Sequence, residues 1–224
     1  MATIDTFEIE QEIAVYLKNQ DILSTTTRGV TTVTQTNTAV GSETFIKVDN
    51  TNVKNVRSVE IDDVAKTFGT DYTVTYESDT AADIGKVNFA SALSSAEVVD
   101  IEYDYGASDR VYTDFPRTDL SLSSYPRISI GVTTVRSEDA GVGGESQLSD
   151  IMLSITYFGG VKKVIKAGAK SIRNKLQTGA KNFYNFGYIR PMTKGPLIHE
   201  PNRHDDVDQL TDDYIIEHEL EVNT

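Results

Sequence analysis

Six side chains of metal-ligand type lie within ten residues near the C-terminus: His199, Glu200, His204, Asp205, Asp206 and Asp208. Imidazole nitrogens and carboxylate oxygens can hold zinc when a helix or tight hairpin sets their spacing. Here Pro201 and Asn202 interrupt the run and no third histidine is near, so a solvated acidic loop accounts for it better. Asp62-Asp63 could suggest a paired carboxylate. Adjacent strand residues point to opposite faces, however, so the pair reads as an exposed turn. Gly141, Gly143 and Gly144 are clustered, but they fall in a hairpin tip rather than between a strand and a helix, so they do not make a phosphate cradle. There is no nucleophile elbow. The chain has no cysteine, which excludes disulfides, thiolate metal sites and cysteine nucleophiles. An enzyme is the reading least supported, and no cofactor is expected.

The informative charges are cationic. The net charge is −13 over 224 residues, a surface that repels free nucleic acid. It serves solubility, and it also suits a host with a salty cytoplasm. Yet residues 151–199 hold no acid and nine Lys or Arg, while residues 200–224 hold nine acids and one Arg. Such segregation marks contacts within an assembly. Five of these cations, Lys162, Lys163, Lys166, Lys170 and Arg173, belong to one amphipathic segment, Val161–Leu176. Three uses are open to it: a wet face, a nucleic-acid surface, or a face meeting an acidic neighbour. No aromatic residue interleaves with the lysines, which weakens base stacking. Two further arginines follow an aromatic-proline pair, in Phe115-Pro116-Arg117 and Tyr125-Pro126-Arg127. Proline lacks an N–H and suits the first position of a strand. Arg117 and Arg127 then stand at strand entries, where a five-donor group can clamp a neighbour's carboxylate or carbonyl, or cap its own loop.

These groups need elements to hold them. Asp5 to about Gln20 predicts a helix with Asp5 and Glu8 in capping-box spacing and Ile9, Ile13, Tyr16 and Leu17 on one face. Residues 24–44 are Thr-rich with little to bury, and read as a connector with one strand at most. Residues 45–106 contain short strands at regular spacing, among them VVDIEYDYG, whose Asp100, Glu102 and Asp104 form the wet face. Residues 126–158 predict a long hairpin whose tip, SEDAGVGGESQLS, should be mobile. The helix follows, with Val161, Val164, Ile165, Ala169, Ile172 and Leu176 as its apolar face. After the loop NFYNFGYIRPM, DDYIIEHELEVNT reads as a last strand. The N-terminus shows no signal-peptide pattern, and no apolar run approaches the ~18 residues of a membrane span.

The fold class expected is α+β: an antiparallel or mixed sheet with flanking helices in an α-β-β-α-β core, residues 1–44 and 107–224. A small β-sandwich-like domain, residues 45–106, is inserted. An N-terminal amphipathic helix, then YPRISIGV, a glycine-rich loop, ITYF running into an amphipathic helix, and a closing strand resemble the tail terminator (tail completion) proteins of tailed viruses over about 1–23 and 107–224. The segment GTDYTVTY to EYDYG separately resembles β modules that decorate viral tail and neck proteins, and so large an insertion departs from the compact terminator pattern.

The resemblance implies a ring, usually of six subunits, on the end of the tail tube. Such a ring stops tube growth and joins the neck or head completion protein, with viral DNA only as passing cargo. It implies a virion protein at the tail–neck junction, assembled in the host cytoplasm, without membrane or catalysis; the acidic balance fits a virus of a halophilic host. Arg117, Arg127, Lys162, Lys163, Lys166, Lys170 and Arg173 would then serve subunit or partner contacts. Ala140, Gly141, Val142, Gly143 and Gly144 would order on assembly. The rivals are a head–tail adaptor or tube subunit, which in the latter case should stack indefinitely, and a carbohydrate or surface-binding module, which lacks tryptophan and an aromatic platform.

Overall fold

In a computed structural model of the chain, the residues described are 6–79, 82–106, 109–113, 125–139, 146–179, 183, 189–200 and 207–221. The chain divides into two compact units, Met1–Leu23 with Arg110–Thr224, and Ser24–Asp109. The class is α+β, mostly strand, with several sheets. None of the described helices is long and apolar enough to cross a membrane.

The boundary near residue 45 moves to residue 24, and the reason lies in hydroxyl chemistry. The Thr-rich stretch is a full strand, β1 (Thr31–Thr38), paired along its length with β7 (Val98–Tyr105). Its apolar content could not hold it there. Thr32 Oγ1 donates to Asp104 at 2.6 Å and Thr36 Oγ1 donates to Asp100, so side-chain bonds to a neighbouring strand replace the missing apolar face. Ahead of β1, the short helix α2 (Thr25–Arg28) is capped by Ser24 and closed by Gly29 in the left-handed region.

The remaining strands of this unit overlap the short strands read from the sequence, except the two-residue strand Val64–Ala65, which that reading did not contain. They are β2 (Phe45–Thr51), β3 (Val53–Ile61), β4 (Val64–Ala65), β5 (Tyr72–Asp79) and β6 (Ala82–Phe89). One sheet runs β1-β7-β3-β4 and the other β2-β6-β5. Val48, Val56, Val59, Val87, Val99, Ile101 and Tyr103 form a shared core. Asp62 and Asp63 are exposed, as expected of a turn, and both have positive φ, 50° and 60°. They make the two-residue hairpin loop between β3 and β4, a twist that needs both residues left-handed.

Asp104 departs from its expected place on the wet face. It is fully buried and receives Arg28 Nη1 at 2.7 Å, Arg57 Nε at 2.7 Å and Thr32. Arg28 is equally buried and also donates to Asp109 at 3.0 Å. Burial alone would raise the Asp104 pKa; the hydrogen bonds from Arg57, Thr32 and Arg28 outweigh it and hold it below its ordinary value of 3.8.

The other unit is a mixed sheet in the order β11-β12-β10-β9-β8. Strand β8 (Val111–Tyr112) runs parallel to β9 (Arg127–Asp139), and all other pairs are antiparallel. Strand β10 (Ser146–Gly159) and the end of β9 take up the two flanks of the segment expected as a loose tip, 146–149 and 137–139: Gln147 faces Asp139. Residues 140–145, with Ala140, Gly141, Val142, Gly143 and Gly144, lie outside the described residues, as do Arg117 and Asp5. Strand β11 (Ile189–Glu200) occupies a stretch read as loop, because Pro191, Gly195 and Pro196 break the alternation; its register shifts at both places. Strand β12 (Val207–Glu221) starts five residues before the predicted one.

Period-two burial places Ile128, Ile130, Ile151, Leu153, Ile155, Tyr157, Tyr214 and Ile216 in one core. The helices α1 (Thr6–Asn19) and α3 (Lys162–Thr178) close it with Ile9, Ile13 and Leu17, and with Ile165, Ile172 and Leu176. They meet where Tyr16 Oη donates to the Lys175 carbonyl at 2.8 Å. A register shift on β9 skips Thr133, and Glu10 Oε1 accepts the Val132 N–H at 2.6 Å.

Asp104→Ala should destabilise the Ser24–Asp109 unit by about 3–5 kcal/mol, because it strands buried arginine charge. Hydrogen exchange in β1, β3 and β7 is the measurement, and unchanged protection there would refute the role given to this cluster. In the native chain the folded pKa lies below the unfolded one. The stability Asp104 supplies is therefore complete above the unfolded value and is lost as pH falls through the lower folded value.

Candidate functional site

The basic helix α3 follows Gly159-Gly160, with Val161 as its N-cap in extended backbone. Its buried residues are Ile165, Ala169, Ile172 and Leu176, spaced four, three and four apart. Two residues expected on that face are not there. Val161 is 58% exposed and Val164 is 48% exposed. Val161 precedes the first helical turn, and Val164 lies one residue, about 100°, off the buried stripe. Gly168 permits the close approach of helix to sheet, since a Cβ there would run into the Tyr157 ring.

Lys162, Lys163, Lys166 and Lys170 are exposed. Arg173, expected to face a partner with them, is turned inward. Its Nη2 pairs with Asp212 Oδ2 on β12, and the two side chains are 17% and 4% exposed. Arg127 also departs from expectation. It is 1% exposed and sits over the Tyr125 ring at 4.8 Å and the Tyr112 ring at 6.0 Å. It therefore braces its own strand entry, at the cis Tyr125–Pro126 peptide, and has no open face to offer a neighbour. Burial lowers its pKa, the aromatic hydroxyls acting in the other direction.

Beside α3 lies a groove of about 700 Å³. Lys166, Lys170 and Arg173 line it from the helix, Met192 and Lys194 from β11, and Leu210 and Asp212 from β12. Four cations thus surround one buried acid. Among the described residues, Asp212 Oδ1, Arg173 Nε and Tyr214 Oη are buried without a hydrogen-bond partner. Burial and the Asp212 charge push the Tyr214 pKa up, so its hydroxyl stays protonated. The groove can hold carboxylate or phosphate oxygens by charge and hydrogen bonding.

The groove's β11 residues were missed in sequence because the strand was. Lys194 was visible only as part of an acid-free block. The metal-type cluster is split: His199 and Glu200 are on β11, Asp208 is on β12 opposite His199, and 201–206 lie outside the described residues. Among the described residues no three such side chains gather as a metal site.

Comparison with protein-family models, with curated proteins and with solved structures returned no match.

Gly168→Ala should cost about 1–3 kcal/mol by overpacking against Tyr157, despite alanine's better helix propensity. Arg173→Ala should cost about 1–3 kcal/mol by leaving the Asp212 carboxylate with no partner. Urea unfolding followed by circular dichroism reads both, and a neutral result at either position would refute the packing or pairing assigned to it.

Proposed function

We propose that this protein is a structural component of a virion, an assembly subunit without catalytic chemistry. More narrowly, we read it as a tail terminator: a ring, of about six copies, that closes the tail tube and joins it to the neck.

The observation that carries this reading is the segregation of charge. An exposed lysine face on α3 flanks a cation-lined groove in a chain whose net charge is −13. A closed ring built head to tail needs two different, complementary patches on each subunit. A basic groove on an acidic chain supplies one patch and an abundance of partners for it. The element order α1, β9, β10, α3, β12 also supports the reading, as it follows the order on which the resemblance rests, with β11 added.

Acidic surfaces fit a channel through which DNA slides. Each phosphate neutralised by a cation releases counterions and adds affinity, so a ring that must not grip DNA keeps its lysines for protein contacts.

Light scattering with negative-stain images of the purified chain tests this. Closed rings with a central hole are expected. Open-ended stacks would identify a tube subunit instead, and monomer alone at every salt and protein concentration would overturn the ring. Duplex affinity at about 0.1 M salt, where charges within roughly 10 Å still interact, should be negligible. Micromolar binding lost in Lys166→Glu/Lys170→Glu would point to a DNA-gripping neck component.

A further inference from the structure

Helix α3 lines its groove with one stripe, Lys166, Lys170, Arg173, Asn174 and Gln177. From Lys166 to Gln177 the stripe runs about 16 Å at the helical rise. A slot of that length is too long for a single ion and takes about five residues of extended chain. The facing wall comes from β11 and β12 and mixes charge with apolar surface: Lys194 stands on it with Met192 and Leu210. Met192 is 56% exposed, an apolar side chain left in water. Gly195 holds this wall close to its neighbour strand, since a Cβ there would run into the Thr211 carbonyl.

Cations gathered around one slot repel each other, and the bond from Arg173 to Asp212 offsets only one of them. Lys166, Lys170 and Lys194 are exposed and are matched by acids brought from outside. Lys166 and Lys170 lie about 6 Å apart along the helix axis. In an extended chain every second side chain points the same way, with a repeat of about 6.7 Å. The two spacings agree, so acids at alternate positions of an extended segment reach both lysines. The side chains between those acids turn the other way, where Met192 and Leu210 lie. The groove also carries a carboxylate: the Asp212 side chain is 4% exposed, and its Oδ1 accepts no bond among the described residues. A carboxylate there disfavours a phosphate, which brings no donor, and favours a ligand that carries N–H groups along with its acids. No aromatic ring lines the groove, so nothing in it stacks on a nucleic-acid base.

We infer that the groove between α3 and β11 is a binding site for a short extended segment of a partner protein in which acidic and apolar residues alternate. Two acids of the segment meet Lys166 and Lys170 across charge-assisted hydrogen bonds. The residues between them cover Met192 and Leu210, and Lys194 adds attraction from the facing wall. Methionine suits such a surface, because its flexible side chain adapts to what covers it. The chain as a whole, at −13, repels acidic peptides, so the groove binds such a segment as a local site and not as part of a general field. The site stands on the groove alone and does not require a ring.

Fluorescence anisotropy on the full chain tests it, at about 0.1 M salt, where charges within roughly 10 Å still interact. The probe is a fluorescein-labelled six-residue peptide alternating glutamate with leucine, held at nanomolar concentration. Saturable binding is expected, and none up to about 1 mM protein would overturn the inference. Lys166→Glu/Lys170→Glu should weaken binding by about thirtyfold or more, and Lys194→Glu, on the other wall, by about fivefold or more. Lys175→Glu lies on the same helix outside the groove and should change affinity by less than about twofold. Equal losses at Lys175 and Lys194 would mean a diffuse charge effect and refute the site. Circular dichroism checks folding, and the two groove variants stand in for each other if one fails to fold. A peptide of the same composition with its three acids adjacent should bind more weakly, and equal binding would overturn the alternating register. A single-stranded oligonucleotide that displaces the probe as well as unlabelled peptide does would overturn the assignment in favour of phosphate recognition. Rings seen by scattering without peptide binding would sink this inference alone, whereas peptide binding by a chain that stays monomeric would uphold it and count against the ring.

Discussion

Strand β10 is the constraint on which the larger unit depends. It is hydrogen-bonded on both edges, to β9 and to β12, over nearly all of its fourteen residues. A strand so placed has no free edge to soften its register. Its alternating Ile151, Leu153, Ile155 and Tyr157 must all fall on one face. That face must then be covered, and α1 and α3 are the two amphipathic helices that cover it. Every fully buried aliphatic side chain in this layer contributes about 1.5–3 kcal/mol. A one-residue slip would turn the whole set to the polar side, where Ser154 bonds Asp213 and Thr156 bonds Thr211.

Helix α3 shows how one element serves packing and surface together. Its buried stripe is narrow, and Gly168 lets it lie directly on Tyr157. A narrow stripe leaves most of the helix outside, and lysine fills that space. Arg173 is the one cation at the border of the two regions. It is close enough to the sheet to pair with Asp212, and the pair fixes the helix to β12 while lining the groove. Charge therefore has two uses within one helix: a buried link at Arg173, and an open field at Lys166 and Lys170.

The β-rich unit solves a different problem with similar means. Its edge strand β1 has little to bury, so hydroxyls and carboxylates replace methyl groups. The Asp104 carboxylate binds three donors from β1, β3 and α2, tying together elements far apart in the chain. Burying that charge is costly, and only a full set of partners offsets the cost.

The residues that alternate or recur at helical spacing were legible in the sequence: α1, α3, the strands of 45–106, and the two arms around 128–135 and 150–158. Apolar periodicity reports which face of an element leaves water, and it needs no knowledge of neighbours. The lysine face of α3 was legible for the same reason, as the complement of its buried stripe. Neighbours decided the rest. Strand β1 depends on the acids of β7, and β11 depends on the exposed edge of β12 in spite of its prolines. Arg127 and Arg173 look like surface cations until the rings of Tyr112 and Tyr125, or the carboxylate of Asp212, are placed beside them. Asp104 has the parity of a wet position and the burial of a core one. The groove exists only where α3, β11 and β12 converge, and its lining is drawn from positions as far apart in the chain as Lys166 and Asp212. Local pattern carries burial, whereas pairing between polar groups is a property of distance in space, and only the tertiary structure sets that distance.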